Sequence, residues 1–136
     1  MGYHILLHCR ARMTTEFLPW ITPAFFTEEW EDTVIDESGN ECPAHPAPQN
    51  VCDLHHRWHR FDICEGFQEF SIQGDRLAFR LSNKWNRHHG NLQRDYLQAM
   101  KTVIAPMSHI IEYCEIEHDD YGDARYQYTD EEIREG

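Results

Sequence analysis

Seven of the chain's fifteen cysteines and histidines fall between residues 42 and 64: Cys42, His45, Cys52, His55, His56, His59 and Cys64. Thiolate and imidazole are the side chains zinc prefers, so the chemistry this run could do is metal coordination. Cys42 and His45 form a C-x-x-H pair, and Cys52 and His55 repeat that spacing. His59 follows His55 by four positions, which puts both rings on one face of a helix. Cys42, His45, Cys52 and His55 would close a Cys2His2 shell, the structural type, and tie a long loop to its helix. Exchanging Cys52 for His59 gives an equally good set. Neither set matches a common finger spacing. The same residues also read as a histidine-rich amphipathic helix with hydrated imidazoles, in which Cys52 and Cys64 act as small hydrophobes. A catalytic metal would need three ligands, an open position and a nearby base. His55, His59 and a cysteine or Asp62 are the ligands that a metal-dependent hydrolase would use.

A second constellation follows from strand phase. Tyr3 to Met13 alternates, with Tyr3, Ile5, Leu7, Cys9 and Ala11 on one side and His4, Leu6, His8, Arg10 and Arg12 on the other. Period-two alternation marks a half-buried strand. Leu77, Phe79 and Leu81 alternate in the same way with Arg76, Ala78, Arg80 and Ser82, after a Gly74-Asp75 turn. If the apolar sides of both strands pack on helices, His4, His8, Arg10, Arg12, Arg76 and Arg80 share an open face. Guanidinium groups bind carboxylates and phosphates bidentately, so that face could dock an anionic partner. Cross-strand ladders to Glu69 and Glu112, or an acidic tail folded over the face, would neutralise it instead. Neither strand offers the face an aromatic ring on which a base could stack, which argues against RNA. His88 and His89, in the loop before the second long helix, read as part of a polar turn.

The elements that must position these residues are legible in outline. Thr22-Pro23 caps a short helix carrying Phe25, Phe26 and Trp30. Residues 36 to 50 read as a loop. Asn50 caps a helix from Val51 to about Ile63, with Val51, Leu54, Trp58 and Phe61 as its buried stripe. Asn91 caps another helix that Pro106 ends. Residues 109 to 117 read as a last strand. This order predicts an α+β, ferredoxin-like fold: a four-stranded antiparallel sheet with helices on one face, plus an inserted Cys/His-rich loop-helix. Residues 1–118 form the domain. Residues 119–136 form an acidic tail, with a capping box at Thr129 that favours a short terminal helix.

Composition bounds the function. The net charge is −12, of which residues 28 to 41 contribute −7 and residues 115 to 136 another −7. The rest is slightly basic, at +2. An acidic whole disfavours general nucleic-acid binding. No apolar run approaches a membrane span. The first residues read as a strand rather than a signal peptide. Five cysteines cannot all pair within one chain, which points to a reducing, cytoplasmic compartment. No phosphate loop, nucleophile elbow or H-E-x-x-H occurs. The reading is a non-catalytic interaction module, docking a protein partner or a second copy through its Arg/His face, with zinc as its one implied cofactor.

Overall fold

The computed structural model describes residues 3–31, 33–44, 46–61, 66–85, 92–118 and 124–135. Its strands are β1 (Tyr3–Met13), β2 (Thr33–Ile35), β3 (Glu41–Pro43), β4 (Phe67–Gln73), β5 (Arg76–Trp85), β6 (Ser108–His118) and β7 (Ala124–Gln127). Its helices are α1 (Pro23–Thr27), α2 (Gln49–His59), α3 (Leu92–Ala99), α4 (Ala105–Met107) and α5 (Asp130–Glu135). A π-helical turn, Met100–Ile104, joins α3 to α4.

The expected four-stranded ferredoxin-like sheet is not what forms. The chain is α+β, but the main sheet has five antiparallel strands in the order β4-β5-β1-β6-β7, and β2 and β3 make a separate two-stranded sheet. The extra main-sheet strand, β7, pairs Glu115 with Gln127 through His118 with Ala124. Of this second sheet, β3 lies in the stretch expected to be loop, while β2 precedes it. Asp36 closes its turn, its Oδ1 accepting from the Ser38 and Asn40 amides, both at 2.9 Å.

β1 is central. It pairs with β5 from Tyr3–Trp85 to Arg12–Arg76 and with β6 from Ile5–His118 to Met13–Ser108. Because strand side chains alternate, one side of β1 buries Ile5, Leu7, Cys9, Ala11 and Met13, each at most 2% exposed. Leu77, Phe79 and Leu81 of β5 and Ile111, Cys114 and Ile116 of β6 continue that layer. Cys9 and Cys114 face each other across the β1–β6 pair as free thiols. Burial pushes the Cys114 thiol up to about 12; burial, and then Cys114 beside it, push Cys9 well above its ordinary range.

The helices cover this layer. Thr22 caps α1, its hydroxyl accepting from the Phe25 amide at 3.3 Å, and Phe25 and Phe26 are fully buried. Val51, Leu54 and Trp58 form the buried stripe of α2. Asn50 is not its cap. α2 begins at Gln49 behind Pro48, and the Asn50 amide instead donates to Glu16 at 2.7 Å. Nor does Pro106 stop the second long helix where it stands, because the π turn carries the helix on to Met107. Proline has no N–H for the carbonyl four residues back. That carbonyl, of Thr102, accepts from Arg57 Nη1 at 2.9 Å.

α5 docks on the same side through Ile133, 1% exposed. Its capping box forms, with the Glu132 amide donating to Thr129 Oγ1 and the Thr129 amide to Glu132 Oε1, both at 3.1 Å. Arg134 reaches the end of α4, donating to the Ala105 carbonyl at 3.0 Å and the Ser108 carbonyl at 3.1 Å. The Ala105 carbonyl also accepts from the Ser108 amide, which caps α4, so Arg134 joins α5 to the turn between α4 and β6. The terminal helix is therefore held on the helix side of the sheet. Among the described residues, no helix is long and apolar enough to cross a membrane.

Candidate functional site

The far face of the sheet carries the six expected basic residues. Antiparallel register sets His8 opposite Arg80 and Arg12 opposite Arg76. His4, Arg10, Arg12 and Arg76 are exposed, while His8 and Arg80 are half-buried. Among the described residues, no helix packs over them.

Most of the rim is neutralised by carboxylates on neighbouring strands. Arg12 pairs with Asp75 at 3.0 Å and with Glu112 at 3.7 Å, and Arg76 meets Glu112 at 2.9 Å. On the other flank, Arg125 lies 3.7 Å from Glu115 and 3.6 Å from Glu117. The ladder alternative is thus realised at Glu112, whereas Glu69, its other expected member, is in register with Arg80 without reaching ion-pair distance. Apart from the pair to buried Glu115, these are pairs between exposed or half-exposed side chains, which contribute little to stability, about 0–1 kcal/mol each.

The centre differs. Among the described residues, neither Arg10 nor Arg80 has a carboxylate at ion-pair distance, and the buried Nε of Arg80 has no hydrogen-bond partner. Arg10 lies over the ring of Tyr113, 5.1 Å from its centroid. The same ring meets His8 edge-on at 4.9 Å, and its hydroxyl donates to Glu115. Strand phase alone missed Tyr113. The β1–β6 register slips between Arg10 and Ala11, so Glu112 and Tyr113, adjacent in sequence, both contact side chains of this face.

Burial, then the Arg80 and Arg10 charges, hold His8 below its ordinary 6.5. The hydrogen bond from Tyr113 is the main cause holding Glu115 below its ordinary 4.5. Both shifts make acid destabilising. Because His8 binds its proton more readily when unfolded, the folded state loses ground as pH falls through 6.5. Glu115 contributes fully above 4.5, and its contribution is lost on further acidification. The urea-unfolding midpoint should therefore fall with pH in two steps. His8→Gln should flatten only the upper step, between about pH 7 and pH 5; an unchanged slope there would refute the assignment.

Four of the five expected metal residues lie among the described residues. Cys42 sits on β3, its thiol 3.5 Å from the Val34 carbonyl, and Cys52 sits on α2, its thiol 3.6 Å from the Ala47 carbonyl. His55 and His59 do share a face of α2, with ring centroids 4.3 Å apart. That face is turned to α1. His55 Nε2 donates to the Glu28 carbonyl at 2.6 Å, His59 Nε2 to the Phe25 carbonyl at 3.2 Å and Trp58 Nε1 to the Phe26 carbonyl at 3.0 Å. Three ring N–H groups thus satisfy backbone acceptors of α1 and its C-terminal cap. His55 is fully buried, not hydrated, and stacks on Trp30 at 3.9 Å and 6°. An open cleft of about 980 Å³ lies beside them, lined by Glu29, Glu31, Asp53, His56, Arg57 and Arg60 among others. Among the described residues, no group of three or more His, Cys, Asp or Glu side chains is placed to hold a metal ion. His45, Asp62, Cys64, His88 and His89 lie outside the described residues.

Tyr96, on α3, is fully buried and accepts from the Asn83 amide at 2.6 Å, and burial pushes its hydroxyl up to about 12. It belongs to the core. Set against known protein families, curated proteins and solved structures, the chain matches no family model, no curated protein and no solved structure.

Proposed function

We propose that the chain is a non-catalytic protein-interaction module whose open sheet face docks a carboxylate-bearing segment of a partner protein. The observation that carries this reading is the centre of that face. Arg10 and Arg80 stand there without an ion pair among the described residues, beside His8 and Tyr113, on a sheet side that no described helix covers. A guanidinium left half-buried with an unbonded nitrogen has much to gain from a bidentate carboxylate. The paired rim makes the surface selective. Glu112, Glu115 and Glu117 would repel a uniformly anionic polymer, whereas a segment that presents its acids to the centre avoids them.

The test is binding of a labelled glutamate-rich peptide, followed by fluorescence anisotropy. The parent should bind, more weakly as salt rises. The double variant R10E/R80E should bind at least about tenfold more weakly, with R12E/R76E, which exchanges arginines already paired, affected far less. Equal loss in the two double variants, or a parent that binds nothing at low salt, would refute the reading.

A further inference from the structure

We infer that the carboxylate-bearing segment that docks on the sheet face is the β2–β3 hairpin of a second copy of this chain. The inference rests on the docking reading above and supplies its occupant.

Two observations meet here. The first is charge. Residues 28 to 41 carry seven acids and no base, while the centre of the sheet face carries Arg10, Arg80 and His8. The chain thus holds both halves of a complementary pair, on separate surfaces. The second is the exposure of the hairpin. Two strands of three residues bury too little to be stable alone. All three β2 side chains are exposed, with Ile35 at 68% and Val34 at 38%. Apolar side chains beside a row of acids suit an interface with a greasy strip amid cations. The sheet face has such a strip, with half-buried Leu6 and Ala78 on the central strands and Ile110 beside Arg12 at 44% exposure.

A reciprocal exchange, each hairpin on the other copy's face, closes on itself with two-fold symmetry and buries both contacts at once. Each contact then places the exposed acids Glu37 and Glu41 against Arg10 and Arg80. Asp36 stays in its own turn, where it already accepts two amides.

Light scattering after size exclusion, on the full chain, tests this. The parent should be dimeric at low salt and shift toward monomer as salt rises. R10E/R80E and E37R/E41R should each be monomeric under the same conditions. An equimolar mixture of the two should regain the dimer, because the altered face of one meets the altered hairpin of the other and the second contact joins two parent surfaces. If R10E/R80E fails to fold, as judged by its circular dichroism, R10E alone takes its place, since Arg10 is exposed. A parent that is monomeric at every salt concentration overturns the inference, and so does a dimer that survives both variants. In either case the glutamate-peptide assay separates the two proposals. Peptide binding that depends on Arg10 and Arg80 leaves the docking face standing without its second copy, and no peptide binding removes both.

Discussion

Gly66→Ala should destabilise the protein by more than about 3 kcal/mol, the range reserved for changes with a specific structural cause. Gly66 has φ +91°, and a Cβ built on it would sit 1.8 Å from the Ser82 carbonyl oxygen. That oxygen belongs to the backbone, so no side-chain rotation relieves the overlap. The Ser82 amide also donates to the Gly66 carbonyl at 2.9 Å, so moving either residue breaks the contact that starts the β4–β5 pair. Phe67, the next residue, is in register with Leu81 and packs on Phe26 and Phe79. The comparison that isolates the clash is internal. Gly39 and Gly74 also have positive φ, +84° and +62°, but nothing lies within 4 Å of a built Cβ. Alanine there should cost only the left-handed strain, about 1–2 kcal/mol. Urea-unfolding midpoints of the three alanine variants decide it: similar midpoints would show that the Ser82 contact does not constrain the strand.

The second large effect is expected at Trp58. Its side chain is fully buried, edge-on to Phe26 at 5.1 Å and to Phe79 at 6.2 Å, so it joins α1, α2 and the sheet. Trp58→Ala should cost about 3–5 kcal/mol for the cavity. The stranded Phe26 carbonyl, now without its indole donor, should add about 1–3 kcal/mol. Against a typical total of about 5–15 kcal/mol, that is enough to unfold a protein in the lower part of the range. Trp58→Phe separates the two contributions, because it keeps most of the packing and loses only the hydrogen bond. The phenylalanine variant should fold with a lowered urea midpoint. An alanine variant as stable as the phenylalanine one would show that packing at this position contributes little.

How much of this was legible from the chain depends on whether local pattern or tertiary contact decides each element. β1 and β5 were legible because each is half-buried, and a half-buried strand writes its burial into alternation. The caps of α1 and α5 were legible because Thr22 and Thr129 act within their own first turns. β7 was not. It is four residues long, its Arg125, Tyr126 and Gln127 are all exposed, and it lies in a strongly acidic stretch, so nothing in its pattern marks it as a strand. Its existence depends on the edge that β6 offers, and it is this strand that turned the expected four-stranded sheet into a five-stranded one.

β2 and β3 escaped for a related reason, since their turn chemistry was visible but strands of three residues carry no period. Tyr113 escaped because a register slip breaks the alternation that had placed its neighbours. The spacing of His55 and His59 correctly put them on one helical face, but spacing does not say what the face meets. It meets the carbonyls of Phe25 and Glu28, residues about thirty positions earlier in the chain. Imidazoles four residues apart serve a metal and a neighbouring backbone equally well.

The facing pair in the central layer gives the molecule an internal clock. A water-borne alkylating reagent can reach Cys42 and Cys52, both partly exposed, while the protein stays folded. Cys9 and Cys114 present neither surface nor thiolate to it, so they react only in molecules whose β1–β6 ladder has come apart. The ratio of slow to fast modification therefore counts how often the sheet opens.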